Sequence, residues 1–234
     1  MIDARHMRVL GIETSSRRGT VALLENERPV VCLSHEERNA HAERMLPLVE
    51  RALAEAGWTK REIERIGVGV GPGSFTGLRV GIALAQGLAL GLGLPIVGVP
   101  SLAAMAAAVP RDVRGTRVPL LDARRDELFV ARYGEDGEPL EAPTTLARFA
   151  VARTLQLEGS VAVGEVCEEL GIASALRSAE SDLPHARFVA LLAARATPTG
   201  LPVEPLYVRE ADAVKPREPP DALVGELASG RPPT

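Results

Sequence analysis

The sequence predicts an α/β fold made of two similar halves, each of the βββαβα type. Three short apolar runs near the start are separated by turn residues, which predicts three strands with tight connections. An amphipathic helix, a strand, an apolar helix and a further strand follow. A weaker copy of this order begins near residue 115, so the sequence indicates an internal duplication.

The first half, residues 7–100, has the clearer periodicity. Its five strands are predicted at 8–13, 20–24, 29–33, 66–70 and 94–99. A helix between the third and fourth strands ends at Gly57. Its apolar residues recur at helical spacing and comprise Ala42, Met45, Leu46, Val49, Ala52, Leu53 and Ala56. A second helix is predicted over residues 76–92.

The second half, residues 115–210, is predicted from weaker signals. We expect strands at 118–122, 127–133 and 160–164, and helices at 149–157 and 185–196. The tail, residues 215–234, carries five prolines and little apolar material, so we expect it to be disordered.

The composition argues against two classes of protein, independent nucleic-acid binders and disulfide-linked secreted chains. Among 234 residues, 46% are hydrophobic, only 3% are aromatic, and the formal net charge is −4. A chain with this charge and so few aromatic rings is not expected to bind nucleic acid by itself. The two cysteines, Cys32 and Cys167, form neither a disulfide framework nor a metal-binding spacing, which is typical of a reducing cytosol.

A membrane span is the alternative interpretation of residues 80–110, which contain no charged side chain. Pro95 and Pro100 interrupt any continuous helix there, and residues 94–99 are better explained as a short buried strand. We therefore expect no membrane-spanning segment.

The turn Gly71-Pro72-Gly73-Ser74 connects a strand to the apolar helix and raises the question of a phosphate site. It lacks the lysine of a P-loop, and its glycine spacing differs from that of the dinucleotide fingerprint. Two interpretations remain: a turn in which Ser74 or Thr76 only caps the helix, and a turn whose free N–H groups hold an anion. The preceding strand places Gly67, Gly69 and Gly71 on one face, where a packed helix or a ligand approaches closely.

The apolar pattern of the second helix, residues 76–92, also predicts contact with another protein. This helix has few polar residues, and Ala83, Gly87 and Gly91 are four residues apart, so a second helix can approach its backbone. On the first helix, Leu48 is predicted to lie on the charged face, and burial inside one chain remains the alternative for both helices. The predicted interface comprises His41, Arg44, Leu48, Arg51, Phe75, Arg79, Ile82, Ala83, Gln86, Gly87 and Leu90.

Several blocks in order along the chain resemble the TsaB (YeaZ) family, which acts in bacterial tRNA threonylcarbamoyladenosine synthesis. They are GIETSSRRGTVAL, HAERMLPLVERAL, VGPGSFTGLRVG, LPIVGVPSLAAMA, LDARRDELFVARY and PLYVRE. The resemblance covers residues 7–210 and implies the duplicated fold of actin, sugar kinases and heat-shock ATPases. It also implies a non-catalytic chain, because the catalytic relative TsaD carries a metal-binding histidine pair where this sequence has Ser101 and Met105.

The resemblance further suggests an incomplete nucleotide site. In this superfamily the first hairpin holds phosphate, and a weak site is expected at Glu13, Thr14, Ser15, Ser16, Gly19, Thr20, Gly73 and Ser74. Asp122, Arg124 and Asp126 either hold a charged group or form a polar turn. We expect no catalytic residue, no metal site and no cofactor of the chain's own, with ATP or ADP bound only together with a partner.

The predicted function is that of a cytoplasmic scaffold that docks TsaD through the helices at residues 40–56 and 76–92. The resemblance adds a homodimer through the same surface, the ATPase TsaE as a further partner, and tRNA only within the complex. The rival prediction is an active kinase, acyltransferase or metallopeptidase of the same superfold, since one fold hosts many chemistries.

Overall fold

A computed structural model describes residues 7–37, 40–155 and 157–208. The first sheet has the strand order β3-β2-β1-β4-β5. Its strands are β1 Arg8–Glu13, β2 Gly19–Glu25, β3 Arg28–His35, β4 Arg65–Gly71 and β5 Ile96–Pro100. β1 pairs antiparallel with β2 and parallel with β4, which brings the end of β1 beside the glycine turn. The predicted tail, residues 215–234, lies outside the described residues.

The second sheet repeats this arrangement, in the order β8-β7-β6-β9-β10. Its strands are β6 Thr116–Arg124, β7 Glu127–Tyr133, β8 Pro139–Ala147, β9 Ser160–Val163 and β10 Ala175–Leu176. β6 pairs antiparallel with β7 and parallel with β9, as β1 does with β2 and β4. Two sheets with the same strand order and directions are the duplication that the sequence predicts.

The helices differ between the halves. The first half contains α1 His41–Ala56, α2 Phe75–Leu92 and α3 Ser101–Ala107. The second contains α4 Val151–Thr154, α5 Val166–Glu169 and α6 Ala186–Arg195. α1 and α2 cover one face of the first sheet, and α6 packs against the opposite face beside β1 and β4. α3, in turn, packs on β6 and β7 of the second sheet.

Glycine allows α6 to approach the first sheet closely. A Cβ atom on Gly11 would overlap the carbonyl oxygen of Ala186, and one on Gly67 would lie 2.6 Å from Cβ of Ala193. The buried guanidinium of Arg65 donates to the carbonyl oxygens of Ala193 and Ala196, both at 2.8 Å, and so caps the end of α6. The close approach at the glycine face of β4 is therefore made partly by the chain's own helix.

Several elements differ from the sequence predictions. α3, β8, α5 and β10 were not expected. α3 follows β5 without a turn, β8 contains Pro139 and Pro143, which disfavour a strand, and α5 and β10 are only four and two residues long. The predicted helix at 149–157 is shorter: a 3₁₀ turn at Arg148–Ala150 precedes the four-residue α4. The other predicted strands and helices are present within a few residues of the expected ends.

The apolar helix α2 packs on the first sheet along one side only. By length and composition it is the one described helix that could cross a membrane, but a third of it is buried against the rest of the chain. Its buried residues are Gly77, Leu78, Gly81, Ile82, Ala85 and Ala89. Leu90, on the other side, is 75% exposed, so burial inside one chain, the alternative interpretation of this helix, does not hold for that side.

Candidate functional site

The hairpin loop after β1 fills the space in front of α2. The amide of Ser74 donates to the carbonyl oxygen of Ser15 at 2.7 Å, and a Cβ atom on Gly73 would overlap that same oxygen. The hydroxyl of Thr14 donates to the carbonyl oxygen of Gly77 at 2.8 Å. The turn glycines thus allow the chain's own loop to lie against the helix N-terminus.

The amide groups that would hold an anion are partly engaged by the chain itself. Ser74 caps α2, since its Oγ accepts from the amide of Gly77 at 3.3 Å. In the hairpin, Oε1 of Glu13 accepts from the amide of Ser15 at 2.6 Å, and Oγ of Ser16 accepts from the amide of Arg18 at 3.2 Å. Of the two interpretations of the glycine turn, this geometry favours helix capping.

Glu13 is a fully buried carboxylate at the centre of this region. Its Oε2 accepts a hydrogen bond from Oγ of Ser101 at 3.1 Å, and Ser101 Oγ accepts from the amide of Gly71 at 3.2 Å. Burial raises the pKa of Glu13, and hydrogen bonds from Ser15 and Ser101 oppose that rise. Gly69 leaves room for this carboxylate, because a Cβ there would overlap it. Glu13 therefore ties β1 to the glycine turn and to α3.

The two positions that match the metal ligands of the catalytic relative are both buried. Ser101 is hydrogen-bonded to Glu13, and Met105 lies in the core between α3 and the second sheet. Within the described ranges, no group of three or more histidine, cysteine, aspartate or glutamate side chains is arranged to hold a metal ion.

Two histidines meet beside the hairpin, a contact that their spacing in the sequence does not predict. Nδ1 of His41 lies 3.1 Å from Nε2 of His35, and Nε2 of His41 lies 3.0 Å from the carbonyl oxygen of Ser16. Gly19 leaves room for these rings, since a Cβ there would overlap Nε2 of His35. Burial lowers the pKa of His35. His41, expected in the partner interface, thus attaches the start of α1 to the hairpin.

The hairpin also contacts the second half. Oγ1 of Thr20 accepts from the amide of Ala186, the first residue of α6, at 2.9 Å. Arg17 forms an ion pair with Glu165 at 2.7 Å. The predicted nucleotide residues are therefore brought together, and much of their hydrogen bonding serves the joint between the halves.

The polar turn at the end of β6 is organised by one arginine. Arg148 pairs with Asp122 at 3.2 Å and with Glu169 at 2.6 Å, and its Nε lies 3.7 Å from Asp126. Arg124 and Asp126 have positive φ angles of 65° and 61°, in the tight connection to β7. This arrangement is that of a polar turn, the second of the two interpretations.

The outward side of α1 and α2 carries most of the predicted interface. Ala83, Gly87 and Leu90 are exposed on α2, and a Cβ atom on Gly87 would meet nothing within 4 Å. Arg44 and Arg51 are exposed on α1, where they pair with Glu37 and Glu55.

Two predicted interface residues are core residues instead. Leu48 is 7% exposed and Ile82 is 4% exposed, and both pack between the helices and the first sheet. The exposed leucine of α1 is Leu46, at 42%, which the periodicity had placed in the core. These placements correct the predicted interface on both helices.

A C-terminal strap, residues 197–208, lies beside α2 and was not predicted to do so. The amide of Leu206 donates to the carbonyl oxygen of Val70 at 2.7 Å, and the amide of Val203 donates to Oε1 of Gln86 at 3.1 Å. The strap brings the ring of Tyr207 to 5.3 Å from the ring of Phe75. The one sequence signal that could have singled out Tyr207 is that it is one of only two tyrosines in the chain.

Comparisons with known proteins agree with this arrangement. The sequence model of the family described as TsaD, tRNA N6-adenosine threonylcarbamoyltransferase, matches residues 35–192. The tRNA threonylcarbamoyladenosine biosynthesis protein TsaB of Escherichia coli K12 is 37% identical over 89% of this chain and 97% of its own length. A Pseudomonas aeruginosa structure, described as an uncharacterized protein with similarity to peptidase YEAZ, has a TM-score of 0.74 at 30% identity, covering 87% of this chain and 100% of that chain.

A more distant structure bears on the fold alone. Component A of the (R)-2-hydroxyglutaryl-CoA dehydratase from Acidaminococcus fermentans has a TM-score of 0.55 at 11% identity, covering 81% of this chain and 98% of that chain. The prediction of a duplicated fold of the actin and sugar-kinase type is confirmed by such neighbours and by the two repeated sheets.

Proposed function

Because the chain belongs to the TsaB (YeaZ) family and thus has a role in tRNA threonylcarbamoyladenosine synthesis, we propose that it is the non-catalytic subunit that docks and supports TsaD. Docking uses the outward side of α1 and α2. The threonylcarbamoyl group is transferred to adenosine in tRNA by the partner, and the complex acts in the bacterial cytoplasm.

One observation carries this proposal: the apolar outward side of α2. Phe75 is 37% exposed and Leu90 is 75% exposed. Gly87 lies between these two residues and Gly91 follows Leu90, and a Cβ atom on either glycine would meet nothing within 4 Å. Exposed apolar surface of this kind is typical of a protein–protein interface. The small residues let a partner helix approach the backbone, and aromatic and arginine side chains beside them are typical of interface centres.

The region around Glu13 supports a non-catalytic role. Ser101 and Met105 replace the ligands of the catalytic relative and are engaged in the protein interior. The amides of Ser15, Arg18, Ser74 and Gly77 already donate to groups of this chain. An independent phosphate site would need some of these donors.

The proposal includes the remaining partners. A homodimer uses the same surface when TsaD is absent, because an isologous interface buries the same apolar side on both copies. TsaE joins the assembled complex, ATP or ADP is bound together with a partner, and tRNA is contacted only within the complex.

The proposal is tested by blocking helix approach. Ala83→Arg and Gly87→Leu place bulk on the outward side of α2, where neither disturbs the monomer, whereas Ala142→Arg on exposed β8 is the matched control. Light-scattering mass is measured for each protein alone and mixed with TsaD, with ATP hydrolysis followed in the same samples.

We expect the wild type and Ala142→Arg to form the mixed complex, and the two α2 variants to remain folded but uncomplexed. Hydrolysis by this chain alone, together with no mixed complex, would establish an active enzyme instead. A complex that both α2 variants still form would place the interface elsewhere.

A further inference from the structure

We infer that Arg79 is a preformed receptor for a carboxylate of the docked catalytic partner and determines how that partner is recognised. This inference rests on the proposed function. It assigns to one residue on α2 a chemistry that the apolar helix surface alone does not provide.

The side chain of Arg79 is held in place by two aromatic rings. Its Cζ lies 3.7 Å from the centroid of the Phe75 ring, and its Nε donates to the hydroxyl of Tyr207 at 3.3 Å. The Phe75 and Tyr207 rings are themselves 5.3 Å apart. The stack and the hydrogen bond restrict the rotamers of the guanidinium, so less conformational entropy is lost when a partner binds it.

Tyr207 is fixed from the other side by the strap. Its neighbour Leu206 is bonded to the carbonyl oxygen of Val70 and packs on the core beneath α2. The cluster of Phe75, Arg79 and Tyr207 is consequently assembled before any partner arrives. It is also accessible, because Phe75 is 37% and Tyr207 is 42% exposed.

Among the described residues, no carboxylate forms an ion pair with the guanidinium of Arg79. Several other arginines among the described residues pair with carboxylates; Arg177, for example, contacts both Asp182 and Glu168 at 2.7 Å. With Nε engaged by Tyr207, the two Nη groups of Arg79 present parallel N–H donors on an exposed surface. This fork matches a carboxylate in the bidentate mode.

A carboxylate from a protein is favoured over a phosphate from a nucleotide. Phosphate sites at helices combine several donors, including amides at the helix N-terminus. At α2 the amides of Ser74 and Gly77 are engaged by Ser15 and by the Ser74 hydroxyl. The groups that do surround Arg79 are aromatic, and an arginine flanked by aromatic rings is typical of the residues that dominate protein–protein affinity.

The test measures the affinity of the full chain for TsaD by calorimetry. Arg79→Lys keeps the charge but removes the fork, and we expect it to weaken binding about tenfold. Tyr207→Phe removes the hydroxyl that orients the fork and should weaken binding about threefold. Arg153→Lys is the matched control, because Arg153 is an exposed arginine 5.8 Å over Phe149 in the second half and should bind as the wild type does.

A charge exchange identifies the carboxylate. Arg79→Glu is combined with Asp→Arg or Glu→Arg substitutions on the partner, and one combination is expected to recover affinity that each single variant loses. Wild-type affinity in Arg79→Lys would overturn the inference. So would a loss that occurs only in the presence of ATP, since the group bound would then be a phosphate.

Failure of this inference is distinguishable from failure of the proposed function. If Ala83→Arg prevents the complex and Arg79→Lys does not weaken it, the docking surface stands and only the role of Arg79 is wrong. If Ala83→Arg has no effect, the proposed docking surface itself is wrong.

Discussion

The first half of the molecule has helices of 16 and 18 residues between its later strands, whereas the second half has helices of four residues at the same two positions. The strand order is the same in both. A sheet can therefore keep its topology with very different helices over it. The long helices do more than cover the first sheet, since α2 leaves an apolar side exposed. The docking surface that we propose uses this exposed side and therefore lies in the first half.

The third helix of each half behaves differently from the first two. α3 packs on the second sheet and α6 on the first, so each half completes the core of the other. The halves are thus similar in topology but not independent in packing.

The largest expected effect comes from a substitution that prevents α6 from packing closely on the first sheet. Gly11→Val places side-chain atoms where the carbonyl oxygen of Ala186 lies, and the backbone cannot yield cheaply. We expect a loss of about 3 kcal/mol in the free energy of unfolding, measured by urea denaturation. Gly91→Ala, at an exposed position with open space, is the control and should lose nothing. Equal stability of both variants would show that α6 does not depend on Gly11.

Acid should weaken the same contact through His185, which caps α6 by accepting from the amide of Arg187. Burial, aided by Arg18, lowers the pKa of His185 to about 4. The unfolded chain, with an ordinary histidine pKa of about 6.5, binds a proton first as the pH falls, so stability is lost between those two values. We expect a loss of about 2 kcal/mol between pH 7.5 and pH 5.

The control for this prediction is His185→Asn, which keeps a cap acceptor and removes the titration. Urea denaturation at both pH values should show a flatter dependence in this variant. Some slope will remain, because burial lowers the pKa of His35 as well. An unchanged slope would assign the acid sensitivity to other groups.

The smallest expected effect separates the two sides of α2. Gly87→Ala adds a methyl group in open space within a helix and should stabilise the monomer by about 0.5–1 kcal/mol. Gly81→Ala makes the same change on the buried side, where the methyl group would overlap Oγ1 of Thr14, and should destabilise it. Thermal melting of the two variants checks the sign of each effect. Stabilisation by both would show that Thr14 moves without cost.

Local patterns predicted most of the strands and long helices, because apolar periodicity and glycine turns are local signals. Which side of α1 is buried was harder to predict. At 100° per residue, Leu48 lies about 65° from the centre of the stripe formed by Met45, Val49 and Ala52, and Leu46 lies about 95° from it on the other flank, so both are at the edges of the stripe. Contact with α2 and the sheet, which the sequence does not encode locally, decides that Leu48 is buried.

The site was predicted as a set of residues but not as a network. Thr14 meets Gly77 across 63 positions, and Arg79 meets Tyr207 across 128. Such contacts depend on how the sheet and strap are placed in space, so no local spacing indicates them. The side chains of Glu13 and Ser101 were assigned to separate motifs for the same reason, although they share a hydrogen bond.

The exchange of α3 and α6 between the sheets also constrains the order of events during synthesis. β1 leaves the ribosome long before α6, because the helix that covers its glycine face ends only at Arg195. Until then the apolar side of the first sheet formed by Val9, Ala22 and Val97 lacks its cover. The nascent chain therefore cannot finish its first half before most of its second half has been made.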